Sequence, residues 1–530
     1  MTAGDSRRIL WIGVLVLALA PSAWLAWTWR AMPHLGALHD DGLYWVSAKS
    51  LAAGDGYRIE SLPGQPLQTK YPPLYPFLLA LIWKINPSFP GNLPWAMLLA
   101  WCILPVFLLL VREFLKQYGF SPAEQMILVA LAALNPTAVL YSISLMPDML
   151  FATLLLASLL VAERATDQRS PGWFAALAGV LCGVAYLSRS AALPVLVTAP
   201  LCFALRKQFL RGGLFLAGML PAVAGWQLWM SSHLSHAQDL VTLYYTNYLA
   251  FYFYNVKTAD LPLVIWHNFD ALLLGIGKAL TFDVELNSKI LERVVSIAAI
   301  TGCVRLARRT GRLQYPLAAT GFSLLLLIWH YQPDQRLVLP LYPLLLAGLW
   351  TEIRRLCVAL RISWEKPALA DRIVAGAAGA ALAAFVGFVA FTSFSGEFVF
   401  LPRLLAAHRR DFNSRRPAYE WIAKHAPASA NVFAYDDSLL YLYTGRRSCG
   451  MPKPPKLYFH DDDAGIDRLL RSIPGFASEN QLDFLLLSRG DFYRDLHAPG
   501  AQHLTQAVES NPRFHPLYRT PSLAIYKFDR

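Results

Sequence analysis

Long apolar runs, cut at intervals by short basic loops, dominate the first four hundred or so residues of the chain. Stretches 9–29, 94–111, 127–140, 149–162, 173–187, 193–205, 214–229, 294–304, 313–329, 337–350 and 373–391 are nearly free of charge. Crossing bilayer hydrocarbon takes roughly 20 mainly apolar residues, fewer where flanking groups reach outward. With no water there to satisfy backbone N–H and C=O groups, each run has to be a helix. The pattern predicts about 11 spans. Stretches 74–83 and 261–280 are also apolar. If the first alone spanned, every later basic loop would change sides until the next compensating span, so both are predicted to be interfacial or re-entrant, with about 13 spans as the fallback. Arg7 and Arg8 precede the first run as in a cleavable signal, yet Trp24, Trp27 and Trp29 crowd its far end. An aromatic belt belongs there on a retained anchor, where a cleaved signal needs small residues.

From Arg403 onward the pattern becomes that of a water-soluble α/β domain. Residues 417–425 read as a helix, 431–435 as a strand, 438–443 as a helical turn ended by Gly445, and 466–473 as a helix. Residues 482–488 read as a buried strand, and 514–519 with 523–528 as a closing strand pair across Thr520-Pro521. The chain thus divides into a membrane domain, 1–400, and a soluble domain, 401–530. Within the first, the connecting segment 30–93 is more than a linker. A helix is predicted over 42–53, closed by Gly54 and Gly56, and the run Tyr-Pro-Pro-Leu-Tyr-Pro at 71–76 stiffens the return to the membrane. Tyrosines and phenylalanines crowd 243–254, which suits a membrane–water interface or a groove for a lipid tail.

Composition agrees: 55% of the 530 residues are hydrophobic and only 15% charged, where a soluble domain carries about 25%. The formal charge of +12 does not point to nucleic acid. Basic residues cluster between spans at Arg7/Arg8, Arg112/Lys116, Arg164/Arg169, Arg206/Lys207/Arg211, 305–312 and Arg354/Arg355/Arg361/Lys366/Arg372. Such loops belong in the cytoplasm. The expectation is a protein integral to the cell membrane, the inner one in a bacterium. Its N-terminus is cytoplasmic, and 30–93, 142–148, 232–289 and the soluble domain are periplasmic or extracellular. The six cysteines form no close-spaced metal pattern, and Cys449 stands alone in the soluble domain, so no disulfide forms within it.

Charged residues on the predicted outer side carry the candidate chemistry. Asp40 and Asp41 follow the first span, either as helix caps or as a general base and cation ligands. Lys70 sits where the chain returns to the membrane, either snorkelling or holding a phosphate. Asp148 is wedged between two apolar runs, a costly place for an idle acid. Arg189 and Arg336 occupy two further outer corners, Arg336 next to Asp334, its structural partner on the plainer reading. Three acids and three bases from five stretches meet on one predicted face. That convergence suits anion binding with acid–base chemistry better than six separate anchors.

At these residues the chain resembles the GT-C superfamily of polytopic glycosyltransferases. It looks most like the branch holding the protein O-mannosyltransferases and the lipid A aminoarabinose transferases (glycosyltransferase family 39-like). The resemblance rests on His-Asp-Asp-Gly-Leu-Tyr-Trp-Val-Ser-Ala-Lys-Ser-Leu-Ala-Ala-Gly-Asp-Gly-Tyr (39–57), Thr-Lys-Tyr-Pro-Pro-Leu-Tyr-Pro (69–76), Met-Pro-Asp-Met-Leu (146–150) and Leu-Pro-Leu-Tyr-Pro-Leu-Leu (339–345). Tyr-Leu-Tyr-Thr-Gly-Arg (441–446) is similar to part of the outer domain of bacterial members. The resemblance implies a GT-C-like membrane fold and a polyprenyl-phosphate-linked sugar donor. The acceptor, a protein, lipid or glycan, is bound from the outer face. It implies Asp40 or Asp41 as base, Lys70 on the donor phosphate with Arg189 and Arg336 as further cations, and Asp148 as the second acid. In some relatives that acid helps hold a divalent metal. This chain departs in having Thr69 where relatives place Glu, and an extra Tyr71 between Lys70 and Pro72. Two other readings stay open: a transporter or flippase of a lipid-linked anion, and a non-catalytic membrane assembly protein.

Overall fold

In the computed structural model, residues 3–235, 239–365, 368–491 and 499–530 are described; Lys366 lies outside them, as do the side chains of Arg7 and Arg8. Among the described residues, six helices are long and apolar enough to cross a membrane, or seven if the bent pair Pro122–Ala133 and Pro136–Ser142 counts as one span. The sequence pattern predicts more. The difference lies in helices such as Trp173–Ser188 and Gln314–Leu327, at 16 and 14 residues, and in Asp148–Ala165, which carries Asp148, Glu163 and Arg164 at its ends. Short helices cross where flanking polar groups meet the headgroups.

The contacts show which loops share an end of the bundle. Arg206 donates to Thr166 Oγ1 and Gly311 O, Arg211 to Ser170 O, and Arg164 to Glu113. Arg354 donates to Glu124 and Arg309 to Tyr118 O. Most of the basic clusters therefore meet at one end, and the soluble domain sits at the other.

The two ambiguous stretches both lie at the soluble-domain end. Leu74–Ile85 has 12 residues, about 18 Å of helix, too short to cross. Leu261–Thr281 is long enough, but its start is tied to the soluble domain through Asp260 and His460. At its finish Thr281 O accepts from Thr392 Oγ1, just before the segment that leads into that domain. The next helix, Lys289–Thr310, runs to the basic end, where Arg206 donates to Gly311 O just beyond it.

The soluble domain is reached through the helix Leu401–His425, which continues through Pro417; the predicted helix was only its last part. Arg415 explains the extension. Its side chain is 5% exposed and pairs with Asp411, Asp436 and Asp491, fixing the segment before the proline. The sheet contains β1 (Asn431–Phe433), β2 (Arg447–Cys449), β3 (Phe484–Ser488), β4 (Phe514–Arg519) and β5 (Leu523–Phe528) in the order β2-β1-β3-β5-β4. β1 runs parallel to β2 and β3, while β5 is antiparallel to β3 and β4. β2 was not legible from the pattern, because three residues are too few to show an alternation.

This domain is seated on the first connecting segment. Tyr441 donates to Glu60 (2.8 Å), Lys49 donates to Tyr441 (2.9 Å), and Ser448 N–H donates to Ser61 O (2.7 Å). A Cβ on Gly42 would stand 2.1 Å from Ser438 Oγ, so only glycine permits this approach. Tyr245 donates to Asp437, which is fully buried. Tyr245→Phe leaves Asp437 Oδ2 without its donor, while Oδ1 keeps the Ser438 N–H and its place beside His39, and one buried acceptor left unsatisfied costs about 1–3 kcal/mol. The expected result is a lower Tm and faster proteolytic release of the soluble domain.

Candidate active site

The helix predicted over 42–53 begins two residues earlier, at Asp40, and ends at Gly54 in the left-handed conformation (φ 89°). It starts from His39, also left-handed at φ 61°, which makes no side-chain cap. Both aspartates therefore lie in the first turn rather than at the cap, and they face different surroundings. Asp41 is 1% exposed and accepts the Gly36 N–H at 2.9 Å, tying down the loop before it. Asp40 accepts the Tyr71 hydroxyl at 2.6 Å and lies 3.4 Å from an Arg336 nitrogen.

Asp148 opens the helix Asp148–Ala165 and is 2% exposed. Its Oδ1 accepts from Arg189 and, at 3.0 Å, from Arg336 Nε; Oδ2 has no hydrogen-bond partner. Arg336 thereby bridges Asp148 and Asp40. The predicted pairing of its side chain with Asp334 is not what forms. Asp334 instead caps the short helix Gln335–Val338, accepting the N–H groups of Arg336 and Leu337, while the guanidinium pairs with Asp148 and Asp40.

Lys70 is 6% exposed. Its ammonium rests on three tyrosine rings, 4.1 Å from Tyr244, 4.7 Å from Tyr248 and 5.1 Å from Tyr71. Among the described residues no carboxylate stands within ion-pair distance of it. Five of the six charged residues singled out in the sequence thus gather in one place, and Asp41 faces away. The sequence reasoning missed Tyr71, Tyr244 and Tyr248. Their signals were there, in the extra residue after Lys70 and in the aromatic run at 243–254.

Asp40 and Asp148 are taken up by Arg189 and Arg336, and Asp334 also stands in electrostatic range of Arg336, whereas Lys70 has no carboxylate within ion-pair distance among the described residues. Burial pushes the Asp40 carboxyl up, but Arg336, Lys70 and the Tyr71 hydrogen bond outweigh it and hold it below the usual carboxylate range. Burial pushes the Lys70 ammonium down to about 8, with Asp40 opposing. Burial pushes Asp41 up to about 7, against its hydrogen bond to Gly36. A divalent cation does not fit these donors: Asp40 and Asp148 already share Arg336, Arg189 also holds Asp148, and Asp41 turns away.

Asp41 yields a prediction. Its folded pKa of about 7 exceeds the ordinary 3.8, so the native state holds a proton that the unfolded chain releases. Stability therefore falls as pH rises from 4 through 7. Asp41→Asn keeps an acceptor for Gly36 and removes the ionisation. The expected variant retains transfer activity, and its Tm declines less than wild type between pH 5 and 8.

A cleft of about 550 Å³ adjoins the site, lined by residues 33–37, His39, Tyr244, Tyr245, the helix Leu401–His425 and the soluble domain. Tyr244 belongs both to this cleft and to the cage around Lys70.

Residues 70–234 match the model of a family described as dolichyl-phosphate-mannose-protein mannosyltransferase, and that segment holds Lys70, Asp148 and Arg189. No curated protein matches the chain by sequence. Among solved structures the chain is similar to ArnT from Cupriavidus metallidurans bound to undecaprenyl phosphate. The identity is 14%, over 92% of this chain and 93% of that one, with a TM-score of 0.51. It is also similar to the Archaeoglobus fulgidus oligosaccharyltransferase tethered with an acceptor peptide, at 12% identity, over 98% and 74% of the two chains, with a TM-score of 0.52. The Archaeoglobus fulgidus AglB in complex with an inhibitory peptide and a dolichol-phosphate gives 11% identity, 99% and 74% coverage and a TM-score of 0.51. At such identities the likeness is one of fold.

Proposed function

We propose that this chain is a membrane glycosyltransferase of the GT-C superfamily, and that it transfers a sugar from a polyprenyl-phosphate-linked donor at the outer face of the membrane, by one inverting displacement. The observation that carries this reading is the surplus cation: Lys70, buried among tyrosines beside two carboxylates that Arg189 and Arg336 already satisfy. A buried charge without a partner is costly, and a donor phosphate supplies the missing anion. The polyprenyl phosphates and peptides named with solved proteins of this fold support the same class of donor and a bound acceptor.

The residues divide the reaction between them. Asp40, kept ionised by its cationic neighbours, takes the proton from an acceptor hydroxyl or amine as that atom bonds to the anomeric carbon. The bond from that carbon to the phosphate oxygen breaks, and its electrons leave on the polyprenyl phosphate. Lys70 and Arg336 stabilise the charge that develops there. Asp148 orients Arg336 and Arg189. Attack from the face opposite the leaving phosphate inverts the anomeric centre. The protein, lipid or glycan acceptor occupies the cleft between the first connecting segment and the soluble domain, where Tyr244 leads from cleft to Lys70. The basic loops gathered at the opposite end of the bundle support an outer-face position for this site, where no nucleotide sugar is supplied.

The test is a transfer assay with purified protein in proteoliposomes and a panel of labelled polyprenyl-phosphate sugars, with the anomeric configuration of the product read by NMR. Turnover with inversion supports the reading. Retention, or turnover from nucleotide sugars instead, overturns it.

A further inference from the structure

A second polar pocket, of about 470 Å³, lies at the opposite end of the bundle, far along the chain's helices from the site above. Its walls come from the finish of the helix Leu93–Gln117 and from the loops near 164–170, 206 and 310–312. Three arginines line it. Two are matched: Arg206 pairs with Glu163 (3.2 Å) and donates to Thr166 and Gly311, and Arg164 pairs with Glu113. Arg312 is not. Among the described residues no carboxylate lies within ion-pair distance of its guanidinium, which stands 5.9 Å over the Tyr118 ring. Asp167 also lines the pocket, exposed, with one oxygen accepting the Arg169 N–H.

A second observation is independent of the charges. Both polar atoms of the Gln117 side chain are buried with no hydrogen-bond partner. A buried amide left unsatisfied is costly, so a polar guest is expected here. The neighbouring sequence suggests what is attached to that guest. Next in sequence to the lining residues Phe174 and Arg206, Trp173 and Leu205 are 57% and 61% exposed, and Phe209 and Leu210, opening the following helix, are 70% and 78% exposed, an apolar skirt at this end of a membrane domain.

We propose that this pocket binds the phosphate headgroup of an anionic phospholipid, its acyl chains lying along the skirt. Arg312 supplies the charge, and Gln117 hydrogen-bonds the headgroup. Basic pockets between membrane helices on the cytoplasmic side recognise anionic lipids by the same combination. The site is separate from the transferase reading and stands or falls without it.

The experiment is native mass spectrometry of the full chain after delipidation and titration with phosphatidylglycerol or phosphatidylcholine, beside thermal unfolding in the same lipids. Wild type is expected to retain phosphatidylglycerol about tenfold more tightly and to gain Tm with it. Arg312→Ala abolishes the preference, Arg312→Lys restores most of it, and sugar transfer in a fixed detergent stays unchanged in both. Equal retention of the two lipids overturns the proposal, as does a preference indifferent to Arg312→Ala. Protection by inorganic phosphate equal to that by the lipid also overturns it, since the guest is then a soluble anion.

Discussion

Asp40→Asn lowers the rate of sugar transfer about 1000-fold, near the middle of the range for loss of a positioned general base, and does so through kcat while donor binding survives. Asparagine keeps the shape of the side chain and an oxygen to accept the Tyr71 hydroxyl, which Asp40 receives at 2.6 Å. It removes the proton acceptor and one negative charge. Arg336 keeps Asp148 as a partner at 3.0 Å, so the loop has little reason to move. Without Asp40 the cations Lys70, Arg189 and Arg336 lose one of the carboxylates that offset them, which makes the site a better anion trap. The expected pattern is therefore a large fall in kcat with an unchanged or lower donor Kd, measured by turnover and by binding of a non-transferable donor analogue. A merely structural carboxylate gives the opposite pattern, with weakened donor binding and a lower Tm. Loss of donor binding with kcat intact removes Asp40 from the role of base.

The contrast between Asp40 and Asp41 shows how far the sequence could be read. Hydropathy and loop charge placed the helices, because lipid permits little else and each loop's charge reports its side. They also placed Asp148, Arg189 and Arg336 at one end of the bundle. What the pattern does not contain is rotation about a helix that is buried nearly all round. The helix Asp40–Ala53 buries Asp41 through Ala48 without a break, so no amphipathic stripe says which of two adjacent acids faces the cations. Only packing decides, and Gly42 against Ser438 fixes the roll. Arg336 was legible as a functional charge, but its partner was not. Asp334, two residues away, is drawn off by the exposed N–H groups of its own short helix, a local competition that outweighs proximity in sequence. The tyrosine cage fails to show for another reason: Tyr71 and Tyr244 are separated by well over a hundred residues, and the run 243–254 has several rings that could have faced Lys70.

Lys70→Met is expected to cut kcat/KM for the donor by about 100- to 1000-fold, the loss of one preorganised charge at a developing anion, and to erase the alkaline limb of the pH profile. Methionine preserves the apolar stem among Tyr71, Tyr244 and Tyr248, so the cage has a filling of similar length. In the free protein the Lys70 ammonium titrates at about 8, depressed by burial from its ordinary 10.5. Only the ammonium attracts phosphate, so kcat/KM of wild type falls about tenfold per pH unit above that value. On the acid side activity holds until Asp40 takes a proton, below the usual carboxylate range. Bound donor moves the limb: a phosphate beside Lys70 favours the charged form, so kcat turns down at higher pH than kcat/KM does. Stability moves the other way. Between 8 and 10.5 the unfolded chain binds the proton that folded Lys70 has lost, so wild type gains stability with pH there and the methionine variant does not. An alkaline limb that persists in Lys70→Met belongs to another group and takes the phosphate contact away from Lys70. A limb that vanishes together with donor affinity ties the surplus charge of the site to the ligand it was read to hold.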